Sequence, residues 1–280
     1  MTSRRLDEVS STLDLPGDGQ VDRKRIVLRP GQWQRFDPFL MMAEDWFTEP
    51  GFDWHPHRGM ETVTLVLSGR QRHGDSTGAT SVLEPGDAQW MTAGRGIIHQ
   101  ELAEGREPVH SLQLWVNLPA AKKRTEPRFQ NLRRSALPTR VEAGAHVTTY
   151  AGAGAPTELH SPLSFHDVKL SPKSHAALEL DPSWRSILYV LEGQVLVAGT
   201  ALSEGQVGLS HPTTVASTLE LEARDGARVL VFSGRPLGEP VAHRGPFVMN
   251  TVEELDEAVR DFHAGRLAPV PQEVPPRRPA

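Results

Sequence analysis

The chain contains no cysteine. That excludes a disulfide framework, a thiolate metal site and a cysteine nucleophile together, and leaves histidine, carboxylate and backbone oxygen as the ligands for any transition metal. Long apolar runs are also missing. Met1 to Val21 is polar and carries both charge signs, unlike a secretory signal, and no later segment has the length and apolarity to span a bilayer. The expected compartment is therefore the cytoplasm. Nor is there an excess of positive charge: the net charge is -5, so no global basic field recruits nucleic acid or an acidic membrane. What is present suits a globular protein. The 280 residues are enough for two domains, with 38% hydrophobic and 23% charged residues. The 24 glycines and 23 prolines are spread along the chain and punctuate many short segments, as in a β-sandwich or barrel.

Residues 1–20 read as loosely ordered. Arg25 to Leu28 begins a β-like run that ends at Pro30-Gly31, and Phe39 to Met42 is a compact apolar run. Glu61 to Leu67 is rich in β-branched residues and stops at Ser68-Gly69, which marks a strand and a turn. Further short strands are expected over Arg70–His73, Thr80–Leu83, Ala88–Met91, Ile97–Leu102 and Ser111–Leu118, separated by turn residues and paired antiparallel. Ala120 to Glu158 reads as a connecting segment. The strand pattern resumes at Leu163, and there Ile187–Gly193 echoes Leu65–Gly69, while Leu202–Gly205 echoes Leu83–Gly86. Two copies of one sandwich would leave that trace. Near the end, Thr251 and Glu254 form a capping-box pattern before an apolar stripe of Leu255, Val259 and Phe262, and Gly265 closes the helix. A proline-rich tail follows, expected to be extended or disordered.

Two pairs carry the chemistry. In a strand, residues two apart share a face, so the imidazoles of His55 and His57 can converge on one ion, as can His99 and Glu101. Glu61 has the same parity as His57 if the strand runs unbroken, although Gly59 invites a bend. Parity alone does not choose between Glu61 and Glu101. Imidazole with carboxylate suits Fe, Mn, Ni, Cu or Zn rather than Mg or Ca.

The segments HPHRGMETVTLVLSG (from His55), GDAQWMTAGRGIIHQE (from Gly86), HSLQLWVNLPAAKK (from His110) and GEPVAHRGPFVMNTVEELDEAVRDFHAG (from Gly238) together resemble the pirins of the cupin superfamily, over most of the chain. The resemblance implies an all-β bicupin, two jelly-roll cupin barrels in tandem with a short C-terminal helix. It implies a metal-binding N-terminal cupin over 1–135, a connector over 136–160, a C-terminal cupin without metal ligands over 161–267 and a tail over 268–280. The implied ligands are His55, His57, His99 and Glu101, typically around iron. The bland role for Glu61 is then an ion pair or a hydrogen-bond acceptor, with Arg58 as the candidate partner. Aligning the two halves on their turn glycines places Glu179, Asp181 and Thr218 where the imidazoles of the first half stand.

Pirins are associated with quercetin 2,3-dioxygenase activity. The implied ligands are a flavonol-like aromatic and dioxygen, with Glu101 as general base, the heterocyclic ring opened and carbon monoxide released. Phe52, Trp54 and Met91 are the expected apolar walls. The alternative the family offers is a non-catalytic, iron-dependent regulator that binds a transcription factor or metabolic enzyme, with no direct contact to nucleic acid. A third reading is a sugar isomerase or other cupin enzyme with no oxygen dependence. Turnover separates the three. Among the remaining residues, His73 is expected to face solvent, with approach to the pocket from a neighbouring strand as the alternative, His110 to be a satisfied strand-end histidine or to lie behind the ligands, and Lys122, Lys123 and Arg124 to be a solvated connector.

Overall fold

The computed structural model describes residues 2–48 and 51–267; the proline-rich tail lies outside them. Two antiparallel sheets enclose the first barrel. The larger runs in the order Arg128–Leu132, Ala88–Thr92, Met60–Ser68, Val109–Asn117, Phe39–Phe47, Arg23–Leu28, Leu13–Pro16. The smaller, facing it, runs in the order Phe52–His57, Ile97–Ala103, Gln71–Asp75, Thr80–Leu83. The second half builds its own large sheet around Arg185–Val197, Ala227–Gly234 and Leu163–Leu170. The bicupin architecture expected from the sequence is what the chain forms.

The internal echo corresponds to repeated hydrogen bonding. The Gly86 amide donates to the Val66 carbonyl, 2.8 Å, and the Gly205 amide donates to the Val190 carbonyl, 3.0 Å. Each acceptor stands three residues before its matching glycine, Gly69 or Gly193. The two barrels differ inside. The second is filled with aliphatic side chains, among them Leu178, Leu180, Val190, Val197, Leu219 and Leu221. Glu179 and Asp181 lie exposed, because the strand Ser174–Leu180 turns its leucines inward and its odd-numbered residues outward. The largest apolar cluster lies where the two halves meet, with Val63, Leu65 and Trp90 from one and Phe165, Ile187 and Phe232 from the other.

The ends of the chain are exchanged between the halves. Residues 1–20 are not loosely ordered: Thr2–Ser3 pairs with Ser217–Ala223, and Glu8–Ser11 pairs with Gln206–Ser210. These short strands are too polar to announce themselves, and edge pairing with distant residues supplies their order. Within the expected connector, Thr139–Glu142 and Ala145–Ala151 join the second sheet through Leu163–Leu170. At the other end, the hairpin Ala242–Arg244/Phe247–Met249 and the helix Val252–His263 dock on the first half. The capping box forms as the sequence predicts: Glu254 N donates to Thr251 Oγ1, and the Glu254 carboxylate accepts from Thr251 N.

The connector basic cluster divides in two. Lys122 and Arg124 are exposed, and Arg124 makes a two-pronged ion pair with Glu257 of the helix. Lys123 is instead 1% exposed. Its Nζ donates to Gly59 O at 2.8 Å, Asn117 Oδ1 at 2.7 Å and Val248 O at 3.0 Å.

Candidate metal centre

His55 and His57 come from Phe52–His57 and His99 from Ile97–Ala103, neighbouring strands in which His99 lies opposite His55. Their alternation turns all three rings to one side, and a nitrogen of each lies within 4.8 Å of the others. Among the described residues this is the group that could hold a metal ion. Its hydrogen bonding fits that use. His55 Nδ1 lies 2.7 Å from the Asp53 carbonyl, which fixes Nδ1 as the donor and leaves Nε2 with a free lone pair. Neither nitrogen of His57 or His99 has a hydrogen-bond partner, although both rings are buried. Burial, reinforced by the neighbouring imidazoles, pushes both well below the ordinary histidine range. Near His57 the Pro246 carbonyl opposes this weakly. Neutral, unpartnered imidazoles with lone pairs pointed at one another are what a transition metal requires.

Glu101 is not among the groups that converge to within that distance. It lies on the same strand face as His99, and three donors hold its carboxylate: Thr64 Oγ1 at 2.8 Å and Gln71 Nε2 at 2.9 Å on Oε1, and Gln113 Nε2 at 2.6 Å on Oε2. Glu61 lies elsewhere. The strand carrying the two histidines ends at His57, and Gly59 takes φ +79°, so parity does not carry through to Glu61. A methyl group at Gly59 would stand 2.0 Å from the Val248 carbonyl oxygen. Thr64 reaches Glu101, so Glu61, an odd number of residues away, faces the opposite side. It accepts from Thr92 Oγ1 at 2.6 Å. Arg58 does not pair with Glu61; it meets Asp261 at 2.9 Å and the Arg95 carbonyl at 2.6 Å.

Burial raises Glu61 from 4.5 to about 7. A carboxyl group raised in the folded state binds its proton more tightly there than in the unfolded chain. It therefore favours folding below about pH 4.5, and that contribution is lost as pH rises to about 7. Glu61→Gln is expected to remove this term. In urea titrations of metal-free protein, the variant should gain stability relative to wild type between pH 5 and pH 8; parallel profiles would contradict the assignment.

Several expectations change. His73 is buried, not solvent-facing; its Nε2 lies 3.1 Å from Asp75 Oδ2, and its ring centroid lies 5.4 Å from that of His99. His110, by contrast, is the satisfied strand-end histidine expected: it stacks on Trp46 and bonds Glu44. A cavity of about 260 Å³ opens beside His55 and His57, walled by Ile26, Met41, Phe52, Trp115 and Pro246, with Lys24, Asp45 and Gln113 as its polar groups. Phe52 is a wall as expected. Trp54 and Met91 are not: Trp54 lies beside Gly74 and Met91 packs with Ala93, Ile97 and Phe129. Gln113 and Trp115 lie in the segment HSLQLWVNLPAAKK, but that segment assigns them no role, and Asp45 lies in none of the four family-like segments; only the pairing of distant strands brings the three here.

The comparisons with known proteins agree with this fold. Residues 21–116 match the Pirin family and residues 165–268 the Pirin C-terminal cupin domain. Pirin-1 of Arabidopsis thaliana is 37% identical over 266 residues, 92% of each chain. The chain belongs to the pirin family. Among solved pirin-like folds, a quercetin 2,3-dioxygenase from Acinetobacter baumannii superposes with a TM-score of 0.87 at 30% identity, covering 96% of this chain and 100% of that one. A bacterial pirin from Escherichia coli in complex with nickel(II) shares the fold at 23% identity, with a TM-score of 0.66, covering 83% of this chain and 98% of that one. The convergence of its three imidazoles suits this pirin to holding a metal ion.

Proposed function

We propose that this pirin is a metal-dependent dioxygenase of flavonol-like aromatics, with iron held by His55, His57, His99 and Glu101. The observation that carries the proposal is the convergence of three imidazoles beside an apolar slot. A metal with two accessible oxidation states, bound there, would supply a Lewis acid for a flavonol oxygen and a partner for dioxygen. The protein supplies the rest. Met41, Phe52 and Trp115 hold a flat ring system and keep water from it. The Glu101 carboxylate, held by Thr64, Gln71 and Gln113, takes the proton of the 3-hydroxyl group as the flavonol binds. Two structural points support the acidic group at Glu101 over Glu61: Glu101 lies on the His99 face, and Glu61 points the other way.

Iron-loaded protein is expected to consume dioxygen in the presence of quercetin, and a chelator to stop it. Glu101→Gln should lower the rate by about 100-fold or more, as loss of a general base does, while oxygen uptake no faster than that of free iron would refute the enzyme reading.

A further inference from the structure

The slot beside the imidazoles has two unlike ends. On its sheet face Trp115 lies opposite Met41, Gln113 opposite Ala43 and Ser111 opposite Asp45. The next strand places Ile26 opposite Ala43 and Lys24 opposite Asp45. Met41, Ala43 and Asp45 alternate onto one face, so the floor runs about 14 Å along the strand from Met41 to Asp45. His57 stands at the Met41 end, its ring centroid 5.4 Å from Trp115. At the other end the Lys24 ammonium lies over Phe52, 5.6 Å from the ring centroid.

Asp45 is the unexplained group. It is 4% exposed, lines the cavity, and its Oδ1 has no hydrogen-bond partner among the described residues. The nearest cation, Lys24 Nζ, stands 3.7 Å away, beyond hydrogen-bond reach, and is shared with Asp18 at 3.5 Å. A buried carboxylate oxygen with a long ion pair and no hydrogen bond is under-satisfied and calls for a role. Burial raises the group to about 7 against the pull of Lys24, with the Glu101 and Asp18 carboxylates adding to the rise. The ammonium beside it disfavours a cationic guest. A neutral O–H donor meets no such objection, and the aromatic and aliphatic walls select a flat ring to carry it.

We infer that Asp45 is a specificity-determining residue whose carboxyl group recognises a ring hydroxyl at the end of the guest remote from the metal-binding oxygen. The inference rests on the reading of this slot as the substrate site. It narrows the substrate class to polyhydroxylated aromatics with hydroxyl groups at both ends; aromatics carrying the metal-binding oxygen alone bind poorly.

The test uses full-length, metal-loaded protein under nitrogen, titrated with quercetin and with 3-hydroxyflavone, which has the metal-binding hydroxyl only. A hydrogen bond to a carboxylate predicts that wild type binds quercetin about 10-fold or more tightly than 3-hydroxyflavone. In Asp45→Ala the two should come within about 2-fold of each other, since no acceptor remains, and Asp45→Asn should keep much of the preference through its carbonyl oxygen. Metal content and 3-hydroxyflavone affinity should be the same in all three, which separates lost recognition from a damaged fold. No preference in wild type, an unchanged preference in Asp45→Ala, or no binding of either flavonol overturns the inference. An Asp45-dependent preference without oxygen uptake overturns the dioxygenase reading alone. Oxygen uptake that is equal for both flavonols, in wild type and Asp45→Ala alike, overturns the Asp45 inference alone.

Discussion

Replacing His57 with alanine is expected to lower metal affinity by about 100-fold or more, since even residues behind a ligand are worth 10- to 100-fold. The ring is buried and neutral, and the one protein group that approaches a ring nitrogen, the Pro246 carbonyl, can accept only from its N–H, so no protein donor competes with the metal for its lone pair. Its loss leaves His55 and His99 facing each other with ring centroids 4.3 Å apart and too few donors to hold an ion tightly. Metal should raise the melting temperature of the wild type, because it binds the folded state, and that rise should vanish in the variant. His146, exposed in the second half, provides the control, and His146→Ala should keep full metal content. Elemental analysis and thermal unfolding with and without metal check both results. Full occupancy in a His55→Ala, His57→Ala double variant would refute the site.

The second large effect concerns stability. Lys123→Met is expected to cost about 3 kcal/mol or more, because it leaves three buried acceptors without a donor. Burial pushes the Lys123 ammonium down to about 8, so at neutral pH it is still charged when it meets the carbonyls of Gly59 and Val248 and the Asn117 side chain. For a chain of this size the loss corresponds to a melting temperature lower by roughly 6–12 °C. Lys122→Met, one residue earlier and exposed, should change stability by no more than about 0.5 kcal/mol. Equal melting temperatures for the two variants would show that the buried ammonium holds nothing together.

Strand periodicity is the reason so much of the fold was legible in advance. A two-residue repeat turns His55 with His57, and His99 with Glu101, to one side. Glycine and proline turns mark where Met60–Ser68, Thr80–Leu83 and Ala88–Thr92 end, and the pairing of Thr251 with Glu254 marks the helix start. Local pattern fails where a residue's partner is remote. The burial of Lys123 depends on carbonyls 64 and 125 residues away. The parity argument for Glu61 breaks at Gly59 because the Val248 carbonyl passes so close. Asp45, Gln113 and Trp115 reach the cavity through the register of non-adjacent segments. The strand at Glu8–Ser11 exists because Gln206–Ser210 offers it an edge.

That exchange of ends bears on the order in which the protein is made. During synthesis the strands that carry His55, His57 and His99 emerge long before Phe247 and Val248, yet the Arg58 carbonyl finds its donor, the Val248 amide, only in that later hairpin. The earliest strand, Glu8–Ser11, waits likewise for residues two hundred positions downstream. A nascent chain halted midway therefore holds its three imidazoles beside a turn that Gly94 and Lys123 brace at Gly59 but that nothing yet holds at the Arg58 carbonyl. Tight metal capture belongs to the finished polypeptide, and a ribosome-bound fragment ending near residue 135 should exchange its ion freely with the surrounding pool.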